Sequence, residues 1–364
     1  MANFMDYLSW RGDLTMQQSP LNEVDGVILA RFSYAPFECA ADAFSEENPT
    51  IGSVCAKLLA VEDLKSRLTQ EDDWALLQTL MQCPRFRSLR LLAHENKLDL
   101  ESQTQFSAVT VQISDDQYYI AFRGTDRTLV GWKEDFNMSF VHPVPAQTLA
   151  VEYFTAIANT VCGELFLGGH SKGGNLAVYA SAFCPADIQP RIRAVYNFDG
   201  PGFDACVLDT ASYQAVCSRV HTFVPQSSIV GMLLEHEETY SIVHSTQKTG
   251  IWQHDIYSWQ LMCNQFTCLD TVTNSSRFIN SALKAWLTEM DRAKREKFVD
   301  TCYALLRSTN AQTLDDLGDS WFACAKTILK AARHLDESDR KIVSEALRTL
   351  MKCAKNEIFQ RPRK

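Results

Sequence analysis

Ser171 lies in Gly168-Gly169-His170-Ser171-Lys172-Gly173-Gly174, a hydroxyl with doubled glycines on both sides. A serine in such a Gly-x-Ser-x-Gly turn is a nucleophile for acyl transfer when three conditions are met. Its proton needs a base, the base needs an orienting group, and the developing oxyanion needs amide donors. Downstream, the sequence offers His254 as a base and Asp199 as an acid.

The elements around the serine have the required order. The apolar run from Leu165 is a short strand, and an Ala-rich helix is expected from Lys172 to about Phe183, stopping before Pro185. A strand, a sharp turn and a helix hold the serine in a strained conformation that lifts its hydroxyl clear of the sheet. The flanking residues must be glycine, because a Cβ there would collide with the neighbouring strand or helix. The helix start also aims amides at negative charge developing on a substrate oxygen.

Upstream, Tyr119-Ile120-Ala121-Phe122-Arg123-Gly124-Thr125 ends a strand in a glycine turn. A backbone amide from that turn and the amide of Lys172 would form a two-donor oxyanion hole. The plain alternative is a turn that merely ends a strand.

Phe122-Arg123-Gly124-Thr125, then Trp132 and Asp135, then Gly169-His170-Ser171-x-Gly173-Gly174, resemble the lipase class 3 branch of the α/β-hydrolases. Within it the sequence is similar to a bacterial lipase-like family, Mbeg1-like. Asp6-Tyr7-Leu8-x-Trp10-Arg11-Gly12-Asp13-Leu14 and His254-Asp255-x-x-Ser258-Trp259 also look like that family. The resemblance covers roughly residues 3 to 260. It implies an α/β-hydrolase fold and makes Thr125 the oxyanion-hole residue, through its amide and its hydroxyl.

Chain order in these enzymes runs serine, acid, histidine. His221 and His244 fall inside expected strands, His236 in the charged run Glu235-His236-Glu237-Glu238, read as a solvated loop, and His334 in a helical tail. His254 follows the last expected strand, where a base belongs, and the resemblance agrees. His170 adjoins the serine but diverges from it at the turn, so it is read as a packing residue.

The carboxylates between Ser171 and His254 are Asp187, Asp199, Asp204, Asp209, Glu235, Glu237 and Glu238. Only Asp199 ends an expected strand, in Asn197-Phe198-Asp199-Gly200-Pro201-Gly202; its plainer role would be to cap the turn. The resemblance puts the acid one strand later, in a loop like Pro225-Gln226-Ser227-Ser228-Ile229-Val230, which carries no carboxylate here. Either Asp199 substitutes, or a neutral group orients the histidine, or the triad is degraded. Lys172, where lipases usually have leucine, is read as projecting to solvent rather than meeting an anionic head group.

The rest of the chain sets the frame. Alternating strands and helices between residues 105 and 260 imply βαβ units and a mainly parallel sheet. Residues 1 to 100 read as helical and irregular, with helices near 54–68 and 72–80; a helix is also expected over 203–216. The expected organisation is an α/β-hydrolase domain over 1–270 and an all-helical segment over 275–364. In that segment Leu283, Trp286, Leu287 and Met290 mark one helix face, and residues 321–332 and 342–350 repeat the pattern.

A net charge of −9 and the lack of a basic stripe argue against non-specific nucleic-acid binding. Neither a signal sequence nor a membrane-spanning run is apparent, so a cytoplasmic protein is expected. Twelve cysteines without a Cys-x-x-Cys pair suggest reduced, mostly buried thiols. No cofactor or metal is implied, and Ser171-Lys172-Gly173 is the wrong order for a phosphate-binding loop. The expected partner is a small acyl ester or thioester, apolar if Trp132, Trp252 and Trp259 line the site. The competing expectation is a non-catalytic binding or scaffold module that has lost its acid.

Overall fold

The computed structural model describes residues 2–307, except 100, 102, 127, 139, 140 and 249, and eight positions between Glu337 and Thr349. Its centre is an eight-stranded sheet. In spatial order the strands are β1 (Arg90–Asp99), β2 (Thr104–Ser114), β3 (Gln117–Phe122), β4 (Glu164–His170), β5 (Ile192–Phe198), β6 (Val220–Pro225), β7 (Tyr240–Val243) and a short last strand, Cys268–Leu269. β2 and β3 pair antiparallel, and β3 through β7 run parallel. This mainly parallel sheet flanked by helices is the α/β-hydrolase architecture.

Strand periodicity sorts the side chains into two cores, one on each face. Val109 and Val111 of β2, with Tyr119 and Ala121 of β3, join the N-terminal helices. Phe106 and Ala108, with Tyr118, Ile120 and Phe122, join the helices Pro145–Thr160 and Lys172–Phe183. Successive residues of one strand thus serve opposite cores, as the two-residue repeat requires. The helix Lys172–Phe183 is buried at every residue from Lys172 to Ala182. That is the environment a mostly apolar helix needs, and its buried Asn175 is satisfied by Gln147 and the Pro201 and Gly202 carbonyls.

Two sequence expectations need correction. Residues 90–99, read as helical or irregular, form edge strand β1, whose mixed burial hides the two-residue alternation. The single helix expected over 203–216 is two, Ala205–Leu208 and Ala211–Cys217, because the Thr210 hydroxyl caps the second by accepting from the Tyr213 amide.

The chain divides into two units. The first comprises Met1–Lys97, Phe106–Gly124 and Ala146–Val272, and holds most of the sheet and both cores. The second comprises Leu98–Gln105, Thr125–Pro145 and Thr273–Lys364. Within the second, the helix Leu129–Asn137 packs on the helix Arg292–Arg307. There Lys133 pairs with Asp300 at 2.6 Å and stands 4.7 Å above the Tyr303 ring. The helix Asn274–Glu289 buries Trp286, which with Met290 forms a small cluster. The expected helix over 321–332 and His334 lie outside the described residues; of the one expected over 342–350, the described positions 343–345, 348 and 349 are helical.

Among the described residues no helix is long and apolar enough to cross a membrane. The described cysteines are free, yet only Cys55, Cys83 and Cys184 are buried, whereas Cys162, Cys206, Cys263 and Cys268 are exposed. Mostly buried thiols were expected, and these residues do not meet that expectation.

Candidate active site

Ser171 stands between the end of β4 and the first turn of its helix, at φ 59° and ψ −134°. A positive φ is unfavourable for a residue with a Cβ, so the surroundings must hold it there. Its N–H donates to the Phe198 carbonyl at 2.9 Å, and its carbonyl accepts from the Gly174 amide at 2.9 Å. The glycines have the expected reason. A Cβ on Gly169 would run into the backbone of Gly173 and the Phe122 carbonyl, and one on Gly173 into the Phe122 and Arg123 backbone. The turn is therefore packed backbone against backbone between β3 and the helix.

Asp199 follows the end of β5, in register beside the serine, since His170 and Phe198 are paired across β4 and β5. It too has a positive φ, 53°. Its N–H donates to Phe223 of β6 at 2.8 Å, and its side chain is fully buried. Burial raises the energy of a carboxylate unless hydrogen bonds replace its water. Here Oδ1 accepts from Ser228 Oγ at 2.5 Å and from the Gly231 amide at 3.1 Å. Oδ2 stands 2.6 Å from His254 Nδ1.

His254 follows the short helix Gly250–Gln253 and keeps 23 % of its side chain exposed. With Nδ1 engaged by Asp199, Nε2 is the ring nitrogen left for proton transfer. The segment around it is tied down on several sides. The Gln253 carboxamide accepts from the Ser227 amide at 2.7 Å, and the Gln253 carbonyl accepts from Trp259 Nε1 at 2.8 Å. The Tyr257 hydroxyl donates to Asp73 at 2.8 Å, and Asp73 is ion-paired with buried Arg31.

His170 is buried, as a packing residue would be, but it also makes two polar contacts. Its Nε2 donates to the His254 carbonyl at 2.8 Å, and Tyr34 Oη lies 3.3 Å from its Nδ1. Burial, then the neighbouring His254 and Arg31, hold its pKa well below the ordinary histidine value. A neutral ring donating from Nε2 accepts at Nδ1, which matches these two partners.

Ser171, Asp199, His254 and Lys172 thus come together in the first unit. A Cβ on Gly124, also in that unit, would lie 3.1 Å from Ser171 Cβ. Thr125 belongs to the second unit, where its hydroxyl donates to Asp135 at 2.6 Å.

Other expectations are corrected. Lys172 does not project to solvent; it is 1 % exposed, buried with the rest of its helix. Trp259 is a core residue packed on Phe198 and Phe266, whereas Trp252 is 67 % exposed. The run Glu235–Glu238 is solvated only at Glu235 and Glu237, because His236 and Glu238 turn inward as a buried pair at 2.9 Å. Sequence reasoning missed Ser228, Gly231 and Tyr34 as partners of the site. Their only signal was the hydroxyl-rich loop Pro225–Val230 lying where a carboxylate was sought.

Among the described residues no group of histidine, cysteine or carboxylate side chains is arranged to hold a metal ion.

A model of the Mbeg1-like family matches residues 80–304, more than half of the chain. No curated protein sequence matches. Among solved structures, M37 lipase is similar at 15 % identity and a TM-score of 0.39, over 59 % of this chain and 70 % of that one. The Rhizomucor miehei lipase in its propeptide complex is similar at 14 % identity and a TM-score of 0.37, over 58 % of this chain and 80 % of that one. Neither likeness is close enough to bear on the site.

Proposed function

The chain belongs to the Mbeg1-like family, and from that premise we propose that it is a serine hydrolase of esterase or lipase type, acting on a carboxylic ester or thioester. One observation carries the reading: a buried carboxylate, Asp199, lies 2.6 Å from the ring of His254, beside a serine held at positive φ. A serine in a structural turn needs neither the strained backbone nor a buried histidine–carboxylate pair next to it.

The reaction follows from these groups. His254 Nε2 takes the proton of Ser171 Oγ as the oxygen attacks the acyl carbon. Asp199 stabilises the imidazolium that forms and fixes the tautomer. The amide of Lys172, at the helix start, donates to the oxyanion. The intermediate collapses, His254 protonates the departing alcohol or thiol, and an acyl-serine remains. Water, deprotonated by the same histidine, then releases the acid.

The competing idea of a non-catalytic scaffold drew its support from the loop Pro225–Val230, which lacks a carboxylate. The contact between Asp199 and His254 speaks against that idea, since a carboxylate from the neighbouring strand stands at the histidine.

A fluorophosphonate probe tests the proposal directly. The native chain is expected to be labelled on one serine, with labelling abolished by Ser171→Ala and strongly slowed by His254→Ala. A folded native chain that stays unlabelled and cleaves no soluble ester would overturn it.

A further inference from the structure

We propose that His236 and Glu238 are positioning residues that hold Gly231 in place, so that its amide keeps the Asp199 carboxylate aimed at His254. The kinetic consequence rests on the hydrolase reading above; the geometric claim does not.

The connection is continuous. Glu238 is buried, and its carboxylate accepts from Thr222 Oγ1 at 2.5 Å and from Tyr213 Oη at 2.7 Å. The same carboxylate stands 2.9 Å from His236 Nδ1. The other ring nitrogen, Nε2, is 2.7 Å from the Gly231 carbonyl. Gly231 in turn donates its N–H to Asp199 Oδ1 at 3.1 Å. One residue is therefore gripped at its carbonyl and grips the acid with its amide.

Both nitrogens of His236 face oxygen atoms, so the ring bridges the Glu238 carboxylate and the Gly231 carbonyl. Burial alone would raise the Glu238 carboxyl; the hydrogen bond and charge of His236, with Thr222 and Tyr213, outweigh it and bring its pKa down to about 2. The result is a second carboxylate–histidine pair, anchored on β6 and on the helix Ala211–Cys217 and placed behind the first. A buried ion pair gains little stability over an apolar pair of the same volume. What it supplies is directional holding of one carbonyl. Gly231 fits the role, since a Cβ there would run into Asp199 Oδ1 and come within 2.8 Å of Val224 Cγ1.

The test compares the full chain with His236→Gln and Glu238→Gln, each alone and combined with Asp199→Asn, using a soluble p-nitrophenyl ester. Each single variant is expected to lower kcat roughly tenfold with little change in KM, within the roughly hundredfold that a misplacement of about 1 Å can cost. Added to Asp199→Asn, neither should cost more, because the group it positions is already disabled. An unchanged kcat, or a full further loss on top of Asp199→Asn, overturns the proposal. Glu238→Gln, close to the native side chain in shape, carries the test if His236→Gln does not fold.

A second readout needs no turnover. The low-field proton resonance of His254 Nδ1–H, bonded to Asp199, is expected to move upfield in both single variants. A resonance unchanged in both also overturns the proposal. Should the native chain lack Ser171-dependent hydrolysis while the resonance responds to His236, the hydrolase reading falls and the positioning claim stands.

Discussion

Ser228 Oγ donates a 2.5 Å hydrogen bond to Asp199 Oδ1. The loop from which the family resemblance would draw the acid therefore supplies a donor to the acid instead. The carboxylate comes from one strand earlier, and the two loops meet at Asp199. Asp199→Asn should lower kcat by about 10⁴-fold, the typical cost of losing the acid of a serine triad. Ser228→Ala removes only a hydrogen bond to a charged group, worth about 1.5–3 kcal/mol, and should cost roughly ten- to a hundredfold. Steady-state hydrolysis of a soluble ester measures both. An Asp199→Asn enzyme with most of its native kcat would rule out Asp199 as the acid.

The turn itself makes a prediction about stability. Gly169 and Gly173 approach each other and β3 through backbone atoms, which cannot rotate away as a side chain can. Overpacking a core with one methyl group usually costs about 1–3 kcal/mol. Gly169→Ala should lie at or above the top of that range, read as a lowered urea midpoint. A midpoint equal to that of the native chain would mean that the turn relaxes freely.

How far the sequence reached can be judged from these residues. The elbow was legible because its requirements are local: an apolar strand, glycines at fixed offsets and a helix-forming run. The pairing of Asp199 with His254 was legible through strand-end position and chain order, although 55 residues separate them. The network behind them was not. Ser228 and Gly231 reach Asp199 only through the parallel pairing of β5 and β6, and no local pattern encodes that pairing. The run Glu235–Glu238 misled for the same reason: four polar residues in a row read as solvated, yet two fold inward to pair. The edge strand β1 was hidden by its mixed exposure.

Two histidines, buried His170 and half-buried His94, give the stability a definite pH dependence. Burial, then the Arg123 charge, lowers the pKa of His94 to about 4, and His170 is also held well below its ordinary value. An unfolded histidine binds a proton below about 6.5, whereas these two stay neutral in the folded chain until lower pH. Their contribution to stability is present above that value. It is lost as pH falls through the interval, down to about 4 for His94. Glu238 adds the same sign at lower pH, its carboxyl being held at about 2. The urea midpoint should therefore drop steadily between pH 7 and 4. His94→Gln should flatten that slope, and a slope unchanged by it would exclude His94 as a source.

Asp73 joins two jobs that a pair of variants can separate. Its carboxylate pairs with Arg31, both of them buried, and accepts the Tyr257 hydroxyl three residues after His254. The Arg31 guanidinium also lies 4.6 Å over the ring of Tyr34, which reaches His170. Asp73→Asn leaves an unpaired buried cation and should destabilise by about 3–5 kcal/mol. Replacing the whole pair, as in Arg31→Met with Asp73→Leu, removes the buried charge and should recover most of that stability. It does not restore an acceptor for Tyr257, so the segment carrying His254 stays loosened and kcat should remain below native. Denaturation curves and ester hydrolysis on the same samples decide the matter. Full recovery of kcat along with stability would mean that the pair supports only the fold.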